Sequence, residues 1–196
     1  MTTTPAGDPA GADTPLEPAP VPEAEAPGAR RRTLVAVLVL VLAYGLDQGT
    51  KILVESTMTL GQRIPVIDGL LNWHYILNPG AAFSIGEDIT WVFTVIQAAV
   101  AVLCLVLIAR VRSLPWALAL GALAGGVLGN LTDRLFREPS FGHGHVVDMI
   151  SVPGFAIFNV ADSFIVCAMI AICLLVFTGR RMDGTREASA ARDPRT

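Results

Sequence analysis

The stretch Phe158-Asn159-Val160-Ala161-Asp162-Ser163-Phe164 places an amide and a carboxylate at the start of an apolar run that extends to about Thr178. An ionisable side chain within a membrane span costs about 2.5 to 3.5 kcal/mol even on insertion scales, and such residues usually serve a function. A second carboxylate, Asp148, lies among apolar neighbours just before the same run. Two carboxylates at one membrane boundary indicate acid–base chemistry.

The chain around this stretch has the composition of a membrane protein. It has 196 residues, of which 53% are hydrophobic, and it contains several apolar runs of about the 20 residues that cross a bilayer. The third run is rich in glycine, which is typical of helices whose backbones approach closely. We predict four spans, at about 33–54, 89–109, 114–131 and 156–178.

The two ends of the chain differ from this apolar centre. Residues 1–29 are rich in proline and alanine and hold five of the 17 acidic residues and no Lys or Arg, a composition typical of disorder. We therefore predict an acidic disordered tail over 1–29, a membrane domain over 30–181 and a polar C-terminal tail over 182–196. Basic residues do not cluster with aromatic ones, so nucleic-acid binding has no support.

The positions of the arginines predict the orientation in the membrane. Short cytoplasmic segments are enriched in Lys and Arg. The ends of the four spans that would share one side carry most of the arginines: Arg30, Arg31, Arg32, Arg110, Arg112, Arg180 and Arg181. Both termini are therefore expected in the cytoplasm, and residues 55–88 and 132–155 outside. Within 55–88, Leu71–Ile76 alternates apolar and polar residues, which predicts short strands.

In this topology the costly polar residues gather at the outer boundary, and several share a helix face because they lie three or four residues apart. They are Asp47 and Lys51 in the first span, Asn130, Asp133 and Arg134 near the end of the third, and Asn159 and Asp162 at the start of the fourth. We interpret Asp47 and Lys51 as an ion pair that snorkels to the interface and sets helix register. Asp133 and Arg134 could form a similar structural pair.

The two remaining carboxylates, Asp148 and Asp162, are expected to be partners. No base lies between Ala156 and Gly179 to neutralise Asp162. Two close carboxylates cannot both ionise cheaply, so they share one proton, as in aspartic proteases.

Other chemistries have weaker support. The sequence lacks HExxH and GxSxG motifs. The His143-Gly144-His145 segment with Asp148 could in principle hold a metal, but histidines flanked by glycine are more often turn residues. We expect no metal and no cofactor.

Five sequence blocks occur in an order that resembles the lipoprotein signal peptidases (signal peptidase II) of bacteria. They are Asp47–Lys51, Asn78–Phe83, Gly125–Arg134, His145–Asp148 and Phe158–Asp162. The resemblance implies an α-helical membrane protein, a four-helix bundle with a small extracytoplasmic β-cradle and a short interfacial helix. It also implies removal of signal peptides from prolipoproteins, ahead of a cysteine that carries diacylglycerol.

The resemblance assigns roles to residues of this chain. Asp148 and Asp162 would be the catalytic pair, and Asp47 with Lys51 would brace the bundle. Residues that would bind the substrate or support the site are Asn78, Gly80, Asn130, Asp133, Arg134 and Asn159. The stretch Leu135–Gly144 is longer than the corresponding link in the family.

The expected mechanism has one aspartate as general base and the other protonated, polarising the scissile carbonyl while water attacks. We expect a monomer in the bacterial cytoplasmic membrane, in contact with lipid and diacylglyceryl-modified prolipoproteins, with its active site at the extracytoplasmic face. The alternative is a small transporter or channel subunit in which the two aspartates relay protons or cations. That function favours polar residues throughout the membrane depth, whereas the inner halves of spans two to four lack charge.

Overall fold

The computed structural model describes residues 27–80 and 89–186, and within these ranges the chain forms four long helices and three strands. The helices are α1 (Pro27–Thr57), α2 (Thr90–Arg110), α3 (Leu114–Phe136) and α4 (Val160–Phe177); the strands are β1 (Arg63–Ile67), β2 (Leu71–Asn78) and β3 (Val146–Ser151). All four helices are long and apolar enough to cross a membrane. The predicted fold, a four-helix membrane bundle with a small sheet, is confirmed.

Parts of the predicted organisation lie outside the described residues. These are residues 1–26 of the N-terminal tail and 187–196 of the C-terminal tail. The short interfacial helix is not among the elements formed by the described residues.

Helix α1 extends beyond the predicted first span at both ends, because it begins at Pro27, within the predicted tail, and ends at Thr57. One end each of α3 and α4 also differs from the predicted bounds. Helix α3 continues to Phe136 instead of ending near 131, so its last turn carries Asp133 and Arg134. Helix α4 begins at Val160 instead of 156, because the Asn159 side chain caps it by accepting a hydrogen bond from the third backbone N–H of the helix. Both shifts place polar residues in helical turns at the same end of the bundle.

Helix α3 lies at the centre of the bundle and packs against each of the other three helices. Its glycines make this possible. A Cβ atom added to Gly121 would lie 2.4 Å from the carbonyl oxygen of Ala36 in α1, and one added to Gly126 would lie 2.6 Å from that of Ala161 in α4. Only glycine fits at such distances, so the glycine-rich sequence permits the close backbone approach that it predicted.

The outer faces of the other helices are apolar. Leu42 of α1, Val102 of α2 and Ile170 of α4 are each more than half exposed in the isolated chain. Exposed aliphatic side chains along helices of membrane-spanning length are typical of lipid contact. The chain is a multi-pass membrane protein.

The three strands form one antiparallel sheet in the order β1-β2-β3. Asn78 pairs with Val146, and Ile76 pairs with Asp148. The sheet therefore places Asp148 on the strand adjacent to β2, beside the last residues of β2. The strands predicted within residues 55–88 are confirmed, whereas β3 was not predicted. Four of the first five side chains of β3 are buried, so its sequence lacks the alternation that identifies a half-exposed strand.

The opposite end of the bundle is closed by the segment that follows α4. The backbone N–H of Arg112 donates to the Met182 carbonyl at 2.9 Å, and Trp116 Nε1 donates to the Arg180 carbonyl at 2.9 Å. The segment therefore packs on the turn between α2 and α3.

Candidate active site

A cavity of about 350 Å³ opens at the end of the bundle where the sheet lies. Helices α2, α3 and α4, strand β3 and the end of β2 all contribute to it. Its polar lining residues are Asn78, Gln97, Asn130, Arg134, Asp148 and Asp162. Both predicted catalytic carboxylates therefore face one cavity.

Asp148 lies in the middle of β3 and is 1% exposed. Its Oδ1 accepts a hydrogen bond from Asn159 Nδ2 at 2.7 Å, and its Oδ2 accepts one from Asn78 Nδ2 at 2.9 Å. Both donors are neutral amides, so they fix the orientation of the carboxyl group without neutralising its charge.

Asp162 lies in the first turn of α4 and completes the cap of that helix. Its Oδ2 accepts from the backbone N–H of Asn159 at 3.0 Å, and its Oδ1 accepts from Asn130 Nδ2 at 2.8 Å. The Asn159 amide that donates to Asp148 also donates to Asn130 Oδ1, at 3.0 Å. The two carboxyl groups are thus joined through the side chains of Asn159 and Asn130.

The environment of Asp148 changes its acidity. Burial, followed by the negative charge of Asp162, raises the pKa of Asp148 from 3.8 to about 7. A carboxyl group with this pKa exchanges its proton near neutral pH, as a general acid or base requires.

Lys51 lies next to Asn130, the residue that donates a hydrogen bond to Asp162. Its ammonium group is 2.8 Å from Asp47 Oδ2 and 2.7 Å from Asp133 Oδ2, and it donates to Asn130 Oδ1 at 2.9 Å. All three of its protons therefore have acceptors. The interpretation that Asp47 and Lys51 snorkel to the interface is wrong, because both side chains are fully buried.

Asp47 also connects α1 to the start of α4. Its Oδ1 accepts a hydrogen bond from the backbone N–H of Ala161 at 2.9 Å. This N–H is one of the first four of the helix, which have no acceptor within the helix itself. The negative charge also interacts favourably with the positive end of the helix dipole.

Asp133 is paired with Lys51 and Arg137, in contrast to the predicted pairing with Arg134. Arg137 Nε donates to Asp133 Oδ1 at 2.7 Å, and Arg137 also forms an ion pair with Glu55. The backbone N–H of Val147, next to Asp148, donates to Asp133 Oδ2 at 3.3 Å. Sequence reasoning missed Glu55 and Arg137, although each lies four residues after a selected residue, Lys51 and Asp133 respectively.

Arg134 holds the turn that follows β2. Its guanidinium donates to the carbonyl oxygens of Asn78 at 3.1 Å and Pro79 at 2.7 Å, and also to that of Gly80. The Asn78 side chain accepts from the Gly80 N–H at 3.0 Å. Arg134 and the turn together form one wall of the cavity.

The histidines considered as metal ligands do not form a metal site with Asp148. His143 is exposed. Among residues 27–80 and 89–186, the structure contains no group of three His, Cys, Asp or Glu side chains suited to bind a metal ion.

Comparison with known proteins identifies the family. Residues 38–178 match the model of the family described as Signal peptidase (SPase) II. The lipoprotein signal peptidase of Streptomyces coelicolor is 49% identical over 156 residues, which cover 80% of this chain and 76% of the relative. That of Mycobacterium tuberculosis is 41% identical over 169 residues, which cover 85% and 83%.

Solved structures agree with this assignment. A bacterial membrane enzyme determined by the in meso method at 2.3 Å resolution superposes with a TM-score of 0.63 and 29% identity, covering 76% of this chain and 88% of the other. A second such structure, at 1.9 Å resolution, gives a TM-score of 0.60. The family match covers most of α1 and all of the other helices and strands, so this chain belongs to the signal peptidase II family.

Proposed function

We propose that the protein is a membrane aspartic endopeptidase that removes signal peptides from prolipoproteins modified with diacylglycerol. The names of its relatives support peptidase action on lipoproteins. The observation that carries the aspartic mechanism is a pair of carboxyl groups, the buried Asp148 and the half-buried Asp162, that line one cavity and are joined through two amides.

In the proposed reaction, the pair carries a single proton. The ionised carboxylate takes a proton from a water molecule as the water oxygen bonds to the scissile carbonyl carbon, while the protonated carboxyl group donates a hydrogen bond to the carbonyl oxygen. Collapse of the tetrahedral intermediate breaks the C–N bond, and the amine of the lipid-modified cysteine leaves with a proton from the pair. No covalent enzyme intermediate is needed.

The position of the cavity suits a substrate that stays in the membrane. Helix α2 contributes Phe93 and Gln97 to it, and helix α4 contributes Asp162 and Val166. Val166 also lines an apolar groove that continues along α4 to Phe177. The acyl chains of the substrate can therefore remain in lipid while its peptide bond reaches the carboxyl groups. Both carboxyl groups come from one chain, so a monomer suffices.

Direct cleavage of a substrate tests this function. The purified protein should shorten a diacylglyceryl-modified prolipoprotein, and Asp148→Asn and Asp162→Asn should each abolish the product, because Asn keeps the shape but cannot ionise. Asp68→Asn is the matched control, since Asp68 is an exposed acid outside the cavity. Normal cleavage by either of the first two variants would contradict the mechanism, and loss of cleavage only with a chelator present would indicate a metal instead.

A further inference from the structure

Gln97 is a polar residue on an otherwise apolar stretch of α2. It lies seven residues after Thr90, which at 1.5 Å per residue is about 10 Å into the span. Its neighbours on both sides, Ile96 and Ala98, are apolar. The side chain is half-buried and lines the cavity that contains Asp148 and Asp162.

The amide oxygen of Gln97 has no hydrogen-bond partner. Among the described residues, only two buried side-chain polar atoms are in this state, Gln97 Oε1 and Arg134 Nε, and both residues line the same cavity. A buried polar group without a partner costs about 1 to 3 kcal/mol. One unpaired acceptor and one unpaired donor in a single cavity are suited to a ligand that offers both kinds of group.

The chemistry of the substrate determines which part of it can pair with Gln97. An acceptor such as Oε1 needs a donor. The ester and thioether groups of a diacylglyceryl cysteine contain only acceptors, whereas each non-proline residue of a peptide backbone offers one N–H donor and one carbonyl acceptor. The partner is therefore the peptide and not the lipid.

The depth of Gln97 in the membrane indicates which segment of the substrate peptide is its partner. After cleavage the mature lipoprotein lies on the outer side of the carboxyl groups, whereas the signal peptide lies in the membrane. Gln97 is on a membrane-spanning helix, about two turns from its outer end. The peptide segment at this depth is the signal peptide.

We propose that Gln97 is a substrate-binding residue whose Oε1 accepts a hydrogen bond from a backbone N–H of the signal peptide, and that it thereby positions the scissile bond at the two carboxyl groups. This inference rests on the proposed function. It adds to the site a residue of α2.

Replacement by methionine tests the role of the amide. Gln97→Met keeps the length of the side chain and removes the acceptor, so KM for a diacylglyceryl prolipoprotein should rise about three- to tenfold, the range for loss of one hydrogen bond. The melting temperature should stay the same or rise, because an unpaired buried polar group is lost. A purely structural role predicts a lower melting temperature with unchanged KM. Ile96→Met, on the exposed face of the same helix, should change neither.

Substrates with single ester bonds identify the partner atom. Each signal-peptide N–H near the cleavage site, other than that of the scissile bond, is replaced in turn by oxygen. The ester at one position should raise KM for the wild-type protein and leave KM for Gln97→Met unchanged. Equal KM values for wild type and Gln97→Met, or equal losses with both proteins at every ester position, would overturn this inference alone. Failure of the wild-type protein to cleave the unmodified substrate would overturn the proposed function and this inference with it.

Discussion

Opposing influences act on the pKa of Asp148. Both of its oxygens accept amide hydrogen bonds, which stabilises the ionised form, yet burial and the nearby charge of Asp162 favour the protonated form. Burial has the largest effect, and the pKa of Asp148 is about 7. Because the two carboxyl groups interact, the proton that titrates near pH 7 belongs to the pair.

This pKa predicts the pH dependence of the reaction. The proposed mechanism needs one proton on the pair, and that proton is lost as the pH rises through about 7. We expect kcat/KM for prolipoprotein cleavage to fall above this pH, approaching tenfold per pH unit, because kcat/KM reports the ionisation of the free enzyme. A rate that stays constant between pH 7 and 9 would contradict the shared proton.

Infrared difference spectroscopy measures the same titration without turnover. The carboxyl C=O band of the wild-type protein should disappear with a midpoint near pH 7. In Asp162→Asn the midpoint for Asp148 should move to lower pH, because a like charge no longer opposes its ionisation. Asp68→Asn should leave the midpoint unchanged, and an unshifted midpoint in Asp162→Asn would show that the two carboxyl groups do not interact.

At the scale of the helices, the site depends on a close approach between α1 and α3. A Cβ atom added to Gly129 of α3 would lie 2.4 Å from Asp47 Oδ2. The same oxygen is paired with Lys51, and Gln48 Nε2 bridges it to the Gly129 carbonyl, with both distances 3.1 Å. The absence of a side chain at Gly129 therefore makes room for the buried charges.

Glycine substitutions test this close approach. Gly129→Ala should destabilise the protein by about 1 to 3 kcal/mol, the usual cost of overpacking a filled core, and should reduce cleavage because Asp47 holds the start of α4. Gly45→Ala is the matched control, because a Cβ atom added there has no other atom within 4 Å. It should be neutral or stabilise the helix by up to about 1 kcal/mol. Thermal unfolding in detergent measures the stability of the two variants. Equal melting temperatures for Gly129→Ala and Gly45→Ala would contradict the packing argument.

The helices were predictable from sequence because each is a long apolar run, and the close packing of α3 followed from its glycines. Strand β3 was not predictable in the same way. Its buried side chains resemble the start of the next span, and its hydrogen-bond partner β2 is about 70 residues away, as in the pair Ile76 and Asp148. Long-range pairing of this kind leaves no periodic signal in a short segment.

The polar residues of the cavity were predictable in identity but not in their connections. Spacings of three and four residues relate groups on one helix, such as Asp47 and Lys51. They carry no information about contacts between elements, and so the sequence did not show that Asn130 links Lys51 to Asp162. Gln97 was not predicted as a site residue, because a single uncharged amide in an apolar run gives no sequence signal comparable to that of a charged residue.

At the scale of the whole molecule, the carboxyl groups and most of the arginines lie at opposite ends. Arg112 and Arg180 belong to the closed end, where the segment after α4 packs on the turn between α2 and α3. The cavity lies at the end with the sheet. Because short cytoplasmic segments are enriched in arginine, we propose that the cavity faces outward.

Cysteine labelling tests this orientation. Ser140 lies in the exposed segment between α3 and β3, and Ser189 follows α4 in the sequence, beyond the described residues. In a variant without Cys104, Cys167 and Cys173, an impermeant reagent added to intact cells should label Ser140→Cys and should label Ser189→Cys only after lysis. Labelling of both positions in intact cells would contradict the four-span orientation.

The hydrogen bond between Asp47 and Ala161 also bears on the timing of synthesis. The two residues are 114 positions apart, so α1 enters the membrane long before the ribosome has made the start of α4. Until α4 arrives, the nascent chain lacks Asp162 and also the Asn159 amide that holds Asp148. A chain that has not reached α4 therefore has at most one of the two carboxyl groups. Under the proposed mechanism, such a chain cannot hydrolyse neighbouring membrane segments, its own first helix included, before translation of the fourth helix has begun.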